Sequence, residues 1–322
     1  MVMAQSLFIT LKLRDPEPQI EVLAPGWSLP LLERMPEVAG AIEMPLGHGR
    51  LDLKTRWRLG HALRDRHYDQ AILLPNSLKS ALTPFWANIP RRTGWLGEMR
   101  YGLLNDLRKL DKTHLTMTVQ RFVALGLAAD FPGVPPIPTP RLQVDPTAAE
   151  QAMQDLGMGE KSRPVLALCP GAEFGPAKRW PEQHYAELAA RKMKQGWDLW
   201  LFGSVRDQPV CAKIIEQSGG GVDLSGRTSL AQAVDLLSLA DAVVSNDSGL
   251  MHVAAALNRP LVAVYGSSDP GFTPPLNSRS QVVSLDLDCS PCFKRECPKG
   301  HLKCLEELAV DQVEEALTGV LT

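Results

Sequence analysis

The chain has 322 residues, 44% hydrophobic and 22% charged, with a formal net charge of −2. That length is ample for two α/β domains with proper cores, and no apolar run approaches the ~20 residues that span a bilayer. No secretory signal opens the chain, so a cytosolic protein is expected. The near-neutral total hides an asymmetry: residues 1–125 hold 17 Lys and Arg against 12 Asp and Glu, and the remainder 17 against 24. A basic first half beside an acidic remainder argues against a uniform polyanion-binding face, and so against nucleic acid.

Taken in chain order, Met3, Leu7, Phe8 and Leu11 recur at the spacing of an amphipathic helix, with no strand ahead of it. Apolar runs at residues 20–23, 71–74, 165–168, 199–202, 242–244 and 261–264 read as short buried strands. Helical patterns separate them, which is the βαβ rhythm of a parallel sheet. The proline-rich run FPGVPPIPTPRLQVDP can be neither helix nor central strand, so residues 130–160 are expected to link a domain at 1–129 to one at 161–322. The apolar tail from Leu308 to Leu321 reads as a final helix.

Two loops carry the chemistry. In LALCPGAEFGPAKRWP a strand runs into Pro170-Gly171, and a loop with two glycines presents Lys178 and Arg179. A lysine there suits a phosphate or diphosphate, while a solvated basic loop is the plainer alternative. In ADAVVSNDSGLMHVAAALNRP a strand leads through Asp247, Ser248 and Gly249 into a small-residue helix. Free N–H groups at such a helix start, with the helix dipole, favour an anion. Asp247 and Ser248 are natural N-caps. His252 faces a ligand or is a buried structural histidine. Asp207, after a strand end, accepts from ribose hydroxyls or simply caps a helix.

The first half offers Asn76, Ser77 and Lys79 after a strand, then a basic run with Arg91, Arg92, Arg100 and Tyr101, some of which pair with nearby acids. Cys289, Cys292, Cys297 and Cys304, with His301, form C-x2-C-x4-C-x6-C. Disulfides are disfavoured in the cytosol, which leaves structural zinc or free thiols. Cys169 and Cys211 stand alone and read as small buried hydrophobes.

CPGAEFGPAKRWP and NDSGLMHVAAALNRPLVAVYG, with LPLLERMPEV, MPLGHG, LPNSLKSAL and RRTGWLGEMRYGLLND, resemble the ADP-heptose:lipopolysaccharide heptosyltransferases, glycosyltransferase family 9. The resemblance covers nearly the whole chain. It implies the GT-B architecture, two Rossmann-like domains with parallel sheets facing a central cleft, and a cytoplasmic enzyme working at the inner leaflet of the inner membrane. It implies inverting transfer of heptose from ADP-heptose to the first heptose of the lipopolysaccharide inner core, with no cofactor needed for catalysis. The Kdo-linked core as acceptor and a sugar-nucleotide-binding remnant without turnover are the alternatives. Lys178 then stabilises the diphosphate. Asp207, Asp247, Ser248, Gly249 and His252 bind the donor. Asn76, Ser77, Lys79, Arg92 and Arg100 border the lipid A–core acceptor, and the basic first half suits that anionic partner.

The family places a strand and a Gly-Asp loop, with an aspartate regarded as the general base, ahead of the first helix. This sequence offers no residue for that role. A start set too late is favoured over a protein that is shortened in the cell.

Overall fold

The computed structural model describes residues 1–14 and 18–322. Two compact units divide after Pro138. The first contains α1 (Gln5–Arg14), β1 (Glu21–Pro25), α2 (Leu29–Leu32), β2 (Gly40–Met44), α3 (Leu53–Ala62), β3 (Gln70–Leu73), α4 (Leu78–Trp86), β4 (Arg91–Trp95), β5 (Asp106–Arg108) and α5 (Thr118–Gly126). The second contains α6 (Pro146–Asp155), β6 (Val165–Cys169), α7 (Glu182–Lys194), β7 (Asp198–Leu201), α8 (Gln208–Ser218), β8 (Val222–Asp223), α9 (Leu230–Ser238), β9 (Ala242–Asn246), α10 (Gly249–Ala256), β10 (Leu261–Val264), β11 (Ser280–Val283), α11 (Lys303–Glu306) and α12 (Val310–Leu321).

The second unit is one parallel sheet in the order β11-β10-β9-β6-β7-β8. Every residue of β6, β9 and β10 is buried, which is why these strands read as unbroken apolar runs. The pleat sends Leu166, Leu168, Leu199, Leu201, Val244, Val262 and Val264 to one face, where they form a single core with Tyr185, Leu188, Ile214, Val313 and Leu317. Strand order reverses between β6 and β9, the switch point at whose carboxyl ends doubly wound sheets bind ligands.

One boundary differs from expectation. The segment expected to link the domains is shorter than 130–160, because Asp145 caps α6, accepting from the Thr147 N–H at 2.9 Å, and α6 packs on α9 in the second unit. The final helix, α12, packs on β9, β10, β11 and α7 of its own unit. Arg191 on α7 ties it there through Asp311 at 2.7 Å and Glu314 at 2.9 Å.

The first unit divides its strands between two parallel sheets, β1-β2 and β3-β4-β5. Set against the second unit, these are the counterparts of its strands two and three and of its strands four, five and six. The first strand has no counterpart among the described residues, in keeping with the expected departure. Arg108 on β5 reaches Asp106 through two donors, at 3.1 and 2.9 Å, and caps α5 by donating to the Ala124 and Leu127 carbonyls at 2.8 and 3.0 Å. That guanidinium holds the Asp106 carboxyl down to about 2, with Thr93 and Arg91 adding to it.

Two outcomes follow. Leu317, fully buried under the sheet, becomes a cavity in Leu317→Ala, which lowers unfolding free energy by about 2–5 kcal/mol in denaturant titrations. Asp106 adds stability above the ordinary carboxylate pKa and loses it as pH falls through about 2. Asp106→Asn therefore lowers neutral-pH stability by about 1–2 kcal/mol and flattens the acid limb of the stability curve.

Candidate functional site

The two loops singled out in the sequence meet in the second unit. Parallel pairing of β6 with β9 sets Cys169 beside Ser245, so the loops leaving both strands start side by side. Lys178 closes a single 3₁₀ turn (Pro176–Lys178), and its Nζ lies 2.5 Å from Asp247 Oδ2. The pair is well screened from water, with the lysine side chain 17% and the aspartate 6% exposed. The ammonium also sits 5.0 Å over the Phe174 ring, an arrangement that favours a cation.

Asp247 is thus an ion-pair partner and not the helix cap expected from the sequence. Ser248 occupies the N-cap of α10 but makes no capping bond to it; its Oγ lies 3.3 Å from Ser245 Oγ. Gly249 is exposed, and a side chain built there would meet nothing within 4 Å. The start of α10 thus has no side-chain cap and follows two residues after the aspartate that holds Lys178, an arrangement that suits an anion. His252, half-buried on the first turns of α10, has its pKa pushed down by desolvation to about 4 against the pull of Asp247. It is neutral at physiological pH and can both donate and accept a hydrogen bond.

Asn246 holds the two loops in register. It is fully buried, its Oδ1 accepts from the Trp180 N–H at 3.1 Å and the Tyr185 hydroxyl at 3.0 Å, and its Nδ2 donates to the Pro170 carbonyl at 2.7 Å. Sequence reasoning passed over this residue. The available signal was an amide side chain ending an otherwise apolar buried strand, where an unsatisfied polar group is costly.

Asp207 takes the plainer of its two expected roles. Its Oδ2 accepts from the Ser204 N–H at 2.8 Å and from Ser204 Oγ at 2.7 Å, while Oδ1 faces Arg179 at 3.7 Å. A Cβ on Gly171 would lie 2.6 Å from this carboxylate, so only glycine lets the Pro170-Gly171 turn close over it. The carboxylate is spent on capping and on supporting that turn, which displaces the expected ribose role.

In the first unit, Asn76, Ser77 and Lys79 lie where β3 gives way to α4, at a strand's carboxyl end. Asn76 is exposed, and Ser77 occupies the N-cap of α4 without making a capping bond. Arg100 corrects its expectation. It is fully buried, donating to the Pro75 carbonyl at 2.7 Å and to the Trp95 carbonyl, and reaching Ser80 Oγ and Asn76 Oδ1 at 3.4 Å. It shapes the Asn76 loop from inside and has no face for an acceptor. Arg92 spends two donors on the Leu103 and Ile89 carbonyls, at 2.7 and 2.5 Å, and stacks over Phe85.

Among the described residues, no helix is long and apolar enough to cross a membrane.

The profile of glycosyltransferase family 9 (heptosyltransferase) matches residues 56–303. The chain is 49% identical over 334 residues to lipopolysaccharide heptosyltransferase 2 of Salmonella typhimurium, covering all of this chain and 95% of that protein. It is 51% identical over 335 residues to lipooligosaccharide heptosyltransferase 2 of Haemophilus influenzae, covering all of this chain and 96% of that one. The structure of E. coli ADP-heptose lps heptosyltransferase II matches with a TM-score of 0.87 at 45% identity, over all of this chain and 95% of the other. The α/β fold is of the GT-B type, and the chain belongs to glycosyltransferase family 9, the heptosyltransferases.

Proposed function

We propose that this enzyme transfers L-glycero-D-manno-heptose from ADP-heptose to the first heptose of the lipopolysaccharide inner core, inverting the anomeric carbon. The observation that carries the reading is Lys178, poised beside the open N-terminus of α10 at the switch point of the sheet. The names of its full-length relatives, heptosyltransferase 2, support the acceptor.

In this reading the second unit holds the donor and the first the acceptor. An acceptor hydroxyl attacks the anomeric carbon, losing its proton to solvent, as ADP leaves from the opposite face, with no covalent enzyme intermediate. Charge builds on the departing diphosphate, so preorganised positive charge dominates the catalysis. Lys178 supplies it, and the amides around Ser248 and Gly249 complete the cradle. Asp247 holds the lysine in place, and neutral His252 hydrogen-bonds the sugar nucleotide. Asp247 and Asp207 are already engaged with Lys178 and Ser204, so neither serves as general base. Asn76, Ser77 and Lys79 border the acceptor. The excess of basic residues in the first half, 17 against 12, suits an anionic lipid at the inner face of a bacterial membrane.

Lys178→Met separates chemistry from folding. We expect kcat/KM for ADP-heptose to fall about 100- to 1,000-fold, the cost of losing one transition-state donor. Stability also falls, because Asp247 is left buried and unpaired. Lys178→Met combined with Asp247→Asn recovers the melting temperature but not the turnover. Wild-type turnover in Lys178→Met would remove the lysine from the mechanism. Acceptor choice is tested with two lipid A–core preparations, one ending in Kdo and one carrying the first heptose. Radiolabelled heptose enters only the second; labelling of the Kdo-terminated core alone overturns the assignment.

A further inference from the structure

Residues 289–304 raise a problem of stability. Between Pro291 and Gly300 every residue is exposed except Cys292 and Cys297, and even Phe293 is half out in solvent. The segment contains no strand, and its one short helix begins at Lys303. A long loop without an apolar core of its own needs another tie. The inward-facing residues are the cysteines. Cys289, Cys292, Cys297 and Cys304 all line one cavity of about 20 Å³, with Ala177, Ser267 and His301. That volume suits a single small occupant.

Two further observations point to what the occupant is. Ser267 Oγ, on a residue only 1% exposed, lines the same cavity and has no hydrogen-bond partner. The segment also carries four cations, Lys294, Arg295, Lys299 and Lys303, against one anion, Glu296, which suits an ion held by four thiolates with a net charge of −2. His301 already accepts the Lys303 N–H on Nδ1 at 3.1 Å, so the sulfurs are the available set. As the side chains stand, no three potential ligands among the described residues converge on one point; a bound ion would gather them by side-chain rotation.

We propose that Cys289, Cys292, Cys297 and Cys304 form a structural zinc site that braces the loop carrying Lys178. The cysteine segment and that loop are bonded to each other directly. The Ala177 N–H donates to the Arg295 carbonyl at 3.1 Å, and Arg295 Nε donates to the Phe174 carbonyl at 2.6 Å. A Cβ on Gly175 would lie 2.5 Å from the Arg295 carbonyl, so the two loops press together where only glycine fits. Ser267 links both, its N–H donating to the Ala177 carbonyl at 3.2 Å and its carbonyl accepting from Phe293 at 2.7 Å. Tetrahedral thiolate coordination selects zinc among common divalent ions. Ordering by the metal reaches the ammonium one residue beyond Ala177.

The test is metal content of the full chain, produced in zinc-supplemented cells and purified without chelator. Elemental analysis should find about one zinc per chain, and Cys292→Ser and Cys304→Ser should each retain under a tenth of that. Stripping wild-type protein with a chelator should weaken ADP binding at least five-fold in calorimetry, with recovery on adding zinc; this arm rests on the donor-site reading, whereas the metal count does not. No metal in wild-type protein, or full zinc in Cys304→Ser, overturns the site. Iron in place of zinc overturns the choice of ion. Unchanged ADP affinity in the stripped protein overturns the bracing role.

Discussion

The parallel pairing of β6 with β9 brings together a lysine and an aspartate 69 positions apart and buries them against each other. Such a pair adds little stability on its own, because desolvation offsets most of the attraction. Its value lies in position. An ammonium fixed at the reversal point of a parallel sheet, beside the uncapped start of α10, is already organised for an anion before any ligand arrives. Asn246 makes this arrangement specific. Its amide fills three hydrogen bonds across both loops, and a hydrophobic replacement would leave the Trp180 amide, the Tyr185 hydroxyl and the Pro170 carbonyl without that partner.

Support for the lysine continues outward. Below it, Asp207 fills the space under Gly171 and Gly203, setting the course of the glycine turn. On the other side the cysteine segment presses on Gly175 through the Arg295 carbonyl. The Lys178 loop is therefore held from two sides by elements that follow it in the chain, and Trp180 anchors its end by donating Nε1–H to the Leu308 carbonyl at 2.9 Å. An electrostatic catalyst benefits from this rigidity, because charge that need not reorganise is what stabilises a transition state.

The parts of this fold that were legible in the sequence are those where burial on both faces leaves a continuous apolar signal. VLALC, AVVS and LVAV announce β6, β9 and β10, and β3 and β7 are nearly as plain. β2, with the sequence GAIEM, has one face half-covered, and β4 and β5 begin or end on arginines. Arg108 is buried in a strand because two carbonyls and Asp106 satisfy it, a circumstance visible only after the chain has folded. The loop residues divide in the same way. Lys178 and Asp247 stood out separately by residue type and flanking glycines, but their contact depends on strand order. Asp207 and Arg100 were assigned outward roles because charge usually faces water. Both are buried and shape the turns next to the exposed groups.

The two units differ in build. In the second, one large core runs beneath a six-stranded sheet, and α12 joins that core. In the first, the strands lie in two sheets, clusters form around Leu63 and Ile89, around Leu73 and Leu104, and around Trp95 and Leu125, and Leu7, Leu32, Met35, Val119 and Val123 are buried as well. A buried arginine bonded to the Pro75 and Trp95 carbonyls ties the Asn76 loop to β4. The chemistry of the two proposed ligands matches this division. The diphosphate is compact, and a fixed charge serves it best. A branched, phosphorylated glycolipid presents a broad surface, and a unit with two separate sheets offers it loops from more than one sheet edge.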